Sequence, residues 1–165
     1  MFITKYKKIL LDSAIVFVIF LIDRISKVYI LKIAEVENAV DIYITPYLNF
    51  YLIWNKGIAF GLASSNESLI YNSITAIIGI IVLGILILIF KLEGIKKYSF
   101  ILVLGGALGN LYDRIYYSAV PDFIDFHIGD NHWFVFNVAD IFITFGVIFL
   151  ILIEYSSQKG FKRLI

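Results

Sequence analysis

The 165-residue chain has no cysteine, two prolines, two histidines and only 16% charged residues. Each shortage excludes something. Without cysteine there is no disulfide, no thiol nucleophile, no thiolate-ligated metal and no acylated anchor of the chain's own. The two histidines, His127 and His132, lack a metal-ligand spacing such as H-E-x-x-H, so neither a metal nor a cofactor is expected. No G-x-S-x-G, serine–lysine signature or phosphate-binding glycine loop occurs. Fourteen basic against thirteen acidic residues leave a net charge of +1, and no basic patch points to nucleic acid. What the chain has instead is 61% hydrophobic residues. A soluble fold of this size would have to display much of that on its surface, and disordered chains are poor in such residues. The composition is that of a membrane protein.

Four apolar segments fit helices that cross a bilayer. Leu69–Phe90 contains no charge and reaches about 33 Å as a helix, against a hydrocarbon core of about 30 Å. The other spans are expected at about 9–30, 98–115 and 133–153, giving an all-α polytopic membrane protein with 1–165 as one domain. Lys5, Lys7 and Lys8, then Lys91, Lys96 and Lys97, then Lys159, Lys162 and Arg163 all fall on one side of such a bundle. The positive-inside rule makes that side cytoplasmic, with both termini inside and segments 31–68 and 116–132 outside. The N-terminal apolar run lacks a small-residue cleavage site and continues into charged helix, so it reads as a span and not a cleaved leader. Val40–Tyr43 and Leu48–Ile53 predict two short strands within an outer β segment of about 40–62.

Charges in or beside hydrocarbon cost about 2.5–3.5 kcal/mol each at mid-helix, so each needs a reason. Asp12, near Lys5–Lys8, reads as an interfacial carboxylate paired with lysine. Asp23 and Lys27 are one helical turn apart and pair on one face, either as a surface-level ion pair or as a clamp at the mouth of a site. Asn55-Lys56-Gly57-Ile58-Ala59-Phe60-Gly61 reads as a turn whose glycines permit close backbone approach and whose Asn55 offers an amide. Gly105 and Gly109 permit close helix packing, and Asn110 and Arg114 project from one face as a donor-rich edge. Asp140 sits among apolar residues of the fourth span, either paired with an arginine or serving chemistry. Asp122 lies eighteen residues earlier in an outer loop that can fold back on it. Two carboxyls about 3 Å apart cannot both ionise, so one stays protonated while the other acts as base. That arrangement suits deprotonation of water beside a polarised amide. Asp125 and Asp130 read as solvated loop acids.

Five blocks together resemble the bacterial lipoprotein signal peptidases, the signal peptidase II family. They are Asp23-Arg24-Ile25-Ser26-Lys27, Asn55 to Gly61, Gly105 to Arg114, Val120-Pro121-Asp122-Phe123-Ile124 and Phe136-Asn137-Val138-Ala139-Asp140. The resemblance implies that Asp122 and Asp140 are a catalytic aspartate pair. It implies that Asn55, Gly57, Asn110, Arg114 and Asn137 surround the substrate, and that Asp23 and Lys27 close the outer end of the first helix. The implied protein is an aspartic endopeptidase of the bacterial inner membrane with four helices, a small extracytoplasmic β-cradle and its active site on that face. Its implied partners are membrane lipid and diacylglyceryl-modified prolipoproteins, cut before the lipidated Cys, and globomycin-type cyclic peptides would block it. A monomer is expected. Pro121 departs from the family pattern, where a small aliphatic residue or Thr is expected. A small transporter or channel is the alternative, but it should show repeated halves, and none is visible.

Overall fold

The computed structural model describes residues 2–57, 68–129 and 131–162. The order of elements is α1 (Phe2–Glu37), β1 (Asp41–Thr45), β2 (Leu48–Asn55), α2 (Ser68–Lys91), α3 (Ile95–Tyr117), β3 (Val120–Ile128), β4 (Asn131–Phe136) and α4 (Val138–Lys162). Among the described residues, two helices are long and apolar enough to cross a membrane, over Leu69–Lys91 and Val138–Ser157. In α2, Val82 and Ile89 are buried while Ile77, Ile80, Ile81, Leu83 and Ile87 face outward. A helix apolar on both its packed and its outward side suits lipid, not water. The first helix runs further than the expected 9–30 and passes through Asp23–Lys27 without a break.

α3 is the central helix and packs on α1, α2 and α4. Its glycines make this possible. A Cβ on Gly105 would lie 2.7 Å from Ile19 Cβ of α1, one on Gly109 would meet the Asp23 carboxylate, and one on Gly106 would meet the carbonyl oxygen of Ala139 in α4. The Gly105/Gly109 pair therefore seats α1, and Gly106 seats α4. Between α2 and α3, Val82, Ile89, Ile101 and Leu104 form a buried apolar cluster. Gly109→Ala is expected to destabilise the protein by about 1–3 kcal/mol through overpacking. A lowered thermal midpoint in detergent checks this, with Gly84→Ala, where a Cβ meets open space, as the control whose midpoint should not fall.

The strands form one antiparallel sheet in the order β1-β2-β3-β4. The two strands expected in the 40–53 region are β1 and β2, and residues 58–62 of the expected outer segment lie outside the described residues. Two expectations are corrected. The described residues of 116–132 are mostly not loop: the left-handed Ser118 (φ 55°) ends α3 and turns the chain into β3. The fourth helix does not begin at 133 but at Val138, because Asn131–Phe136 pairs with β3. Residues 133–136, Trp-Phe-Val-Phe, suit a strand as well as a span, and cross-strand pairing decides between them. Pro121 is tolerated near the start of central β3, since β4 pairs only from Ile124 onward. The sheet rests on the C-terminal part of α1, where Ile30, Val40 and Phe123 are buried together. Asp12, expected to pair within the Lys5–Lys8 group, pairs with Lys97 of α3.

Candidate active site

The site forms where β2, β3 and the start of α4 meet the middle of α3. Asp122, on β3, is fully buried. Its Oδ2 accepts a 2.8 Å hydrogen bond from Asn55 Nδ2, at the end of β2, and its Oδ1 accepts a 2.6 Å bond from Asn137 Nδ2. Asn137 caps α4 and Asp140 lies three residues on. The Asp140 N–H donates to Asn137 Oδ1 and the Asn137 N–H donates to Asp140 Oδ2, both at 3.2 Å. This reciprocal pair is a capping box, with Asp replacing the usual Glu. One asparagine thus bridges both aspartates. Asp140 therefore sits in the first turn of α4 and not two turns inside a span, which is why a carboxylate is tolerable there. Burial, and next the nearby charge of Asp140, push the Asp122 carboxyl up to about 6, against the opposing pull of its two amide donors.

A second polar layer holds this pair in place. Asn110 Nδ2 donates to Asp140 Oδ1 at 2.8 Å, and its own Oδ1 accepts from Lys27 Nζ at 2.8 Å. Lys27 is fully buried and also contacts Asp23 at 2.9 Å and Asp113 at 2.7 Å. Arg24 reaches the other Asp113 oxygen at 2.6 Å. Asp23 in turn accepts the Ala139 N–H of α4 at 3.0 Å. Three helices are thereby tied at one level by two lysine or arginine cations and two carboxylates. Asp23 and Lys27 thus join α1 to α3 and α4 at this level. Asp113 and Arg24 are the members that residue spacing did not single out, although both stand inside the quoted blocks.

Asn110 and Arg114 do not act on the same group. Arg114 leaves Asp140 alone and donates to the Gly57 carbonyl, while its own carbonyl accepts from Tyr71 of α2 at 3.0 Å. Gly57 N–H is held by Asn55 Oδ1 at 2.8 Å, so Asn55 fixes both a carboxylate and the turn that follows β2. Among the described residues, Arg114 Nε and Nη1 have no hydrogen-bond partner. Beside Asp140 an apolar groove of about 240 Å³ runs along Phe134, Phe136, Ile141, Thr144 and Phe145. Asp125 is not the solvated acid expected: it is 1% exposed, with His127 and His132 beside it. Asp130 lies outside the described residues.

A helical protein with membrane-length helices and two buried, asparagine-bridged aspartates belongs to the class of membrane enzymes. Two solved structures agree, both described as bacterial membrane enzymes. One aligns with a TM-score of 0.69 at 27% identity, covering 92% of this chain and 90% of that one; the other gives 0.62 at 28%, covering 87% and 91%. The profile of Signal peptidase (SPase) II matches residues 15–156. A lipoprotein signal peptidase of Pelagibacter ubique is 61% identical over 155 residues, 93% of each chain. One of Anaplasma phagocytophilum is 38% identical over 155 residues, 93% of this chain and 97% of that one. The chain belongs to the signal peptidase II family: it is a peptidase that removes signal peptides from prolipoproteins.

Proposed function

We propose that Asp122 and Asp140 are the catalytic pair, cutting just before a diacylglyceryl-modified Cys. The observation that carries this is their convergence from different elements onto Asn137. Asp140 takes a proton from water as the water oxygen attacks the scissile carbonyl. The protonated Asp122 polarises that carbonyl and later gives its proton to the leaving amide nitrogen. Asn55 and Asn137 hold Asp122 in position, Asn110 holds Asp140, and the Arg114–Gly57 contact shapes the adjoining backbone that faces the substrate. The groove beside Asp140 is apolar and suits the lipid-bearing side of the substrate.

In this reading all four helices cross the inner membrane, both termini are cytoplasmic, and the sheet lies at the extracytoplasmic surface as a cradle. The protein works as a monomer embedded in lipid, and no metal takes part in the hydrolysis. The sidedness rests on the clusters Lys5–Lys8, Lys91–Lys97 and Lys159–Arg163. Purified protein in detergent tests the substrate: a lipidated prolipoprotein peptide is expected to be cleaved and the same peptide with a free thiol is not. Equal cleavage of both would overturn the lipid requirement.

The raised Asp122 pKa has a consequence for rate. Below about pH 6 the Asp122 carboxyl keeps the proton it needs to act as the acid; above it, that proton is lost. For the free enzyme kcat/KM is therefore expected to fall on the alkaline side, starting near pH 6. A profile on lipidated peptide checks this, and one that stays flat from pH 5 to 8 contradicts it.

A further inference from the structure

At the far end of the β3–β4 hairpin three side chains gather that the peptidase chemistry does not use. Asp125 and His127 are two apart on β3 and so share a face. His132 joins them through an irregular register: Phe126 pairs with Phe134, whereas His127 pairs with His132. Trp133 is thus an extra residue on β4, and a bulge of this kind re-aims the neighbouring side chain. In an unbroken ladder His127 would face position 133 instead.

The resulting geometry is tight. His132 Nδ1 lies 2.7 Å and His127 Nδ1 3.5 Å from the same Asp125 oxygen. One donor atom from each residue falls within 4.8 Å of the others. Asp125 and His127 are buried, at 1% and 8% exposure. Among the described residues, Asp125 Oδ1 and His127 Nδ1 nevertheless have no hydrogen-bond partner, and neither has Oδ1 of Asn49, which pairs with Asp125 from β2. Buried polar atoms are nearly always satisfied, so the open positions on Asp125 and His127 suit a ligand that accepts electron pairs. The His132 side chain is 57% exposed and leaves the cluster open to solvent.

We propose that Asp125, His127 and His132 bind a divalent transition metal of the zinc class. Two imidazoles and a carboxylate suit zinc and its neighbours, whereas magnesium and calcium favour all-oxygen sites. Bonds of about 2.1 Å in a tetrahedron place ligand atoms about 3.4 Å apart. The His127–Asp125 separation already matches, and a small swing of the exposed His132 ring brings the third donor into range. Water completes the set. Asp122 lies three residues along the same strand, so the ion pins the hairpin that presents it and takes no part in bond cleavage. The site is independent of the catalytic reading.

Tag-free protein, stripped with chelator and held in detergent, is titrated with Zn²⁺ by calorimetry. One ion per chain at micromolar affinity or better is expected, with a thermal midpoint that rises with Zn²⁺ concentration. His132→Ala, at an exposed position that tolerates truncation, should weaken binding at least tenfold, and Asp125→Asn likewise. If Asp125→Asn does not fold, His132→Ala carries the test. Absence of saturable heat, equal affinity in His132→Ala, or equal binding of Mg²⁺ would each overturn the site.

Discussion

Asp122→Asn and Asp140→Asn should each lower cleavage of lipidated substrate by roughly 10²–10⁴-fold or more, the scale of lost general acid–base catalysis. Asparagine keeps the volume but neither takes nor gives the proton. Both variants should still insert and accumulate, because asparagine keeps the volume and removes a buried charge, at the cost of one hydrogen bond where an NH2 replaces an accepting oxygen. Losses at the two positions should not add, since either one alone disables the shared-proton pair. Asp41→Asn, on the exposed edge strand β1, is the control and should keep wild-type activity. The measurement is initial rate at matched protein levels. If one of the two variants stays active, the pair is not the catalytic unit.

Lys27→Met carries the largest expected loss of stability, about 3–5 kcal/mol, the cost of leaving buried carboxylates uncompensated. The Lys27 ammonium group is fully buried and faces Asp23, Asp113 and Asn110 at once. Met preserves the stem's packing, so the loss reports charge and not a cavity. Adding Asp113→Asn to Lys27→Met should recover part of it, because Arg24 then faces one carboxylate and not two. Thermal unfolding in detergent measures both variants, and a midpoint unchanged in Lys27→Met would show that the cluster carries no such load.

Much of this was readable before any coordinates. The Asp23–Lys27 pairing follows from one helical turn of spacing, and the Gly105/Gly109 contact with α1 from the need for small residues where helices touch. Asn137-x-x-Asp140 is a capping pattern, yet the aromatic run at 133–136 looks like the start of a span and hides the helix boundary. The burial of Asp125 was not readable either. It depends on the pairing of β3 with both β2 and β4, and the register shift that brings His132 opposite His127 leaves no periodic trace in composition. The histidine spacing argues against a metal only if the chain is a loop; on a hairpin, residues five apart can face each other. Asp113 and Arg24 were visible as charges, but only tertiary packing decides that both turn toward Lys27 and its neighbours.

The most direct test of the catalytic account is mass spectrometry of the products that purified protein makes from a diacylglyceryl-modified prolipoprotein peptide. The expected lipid-bearing product begins at the modified Cys and appears with wild-type protein. It is absent when Asp122 and Asp140 are both asparagine. A cut at any other bond, or the same product from the doubly substituted protein, would contradict the assignment.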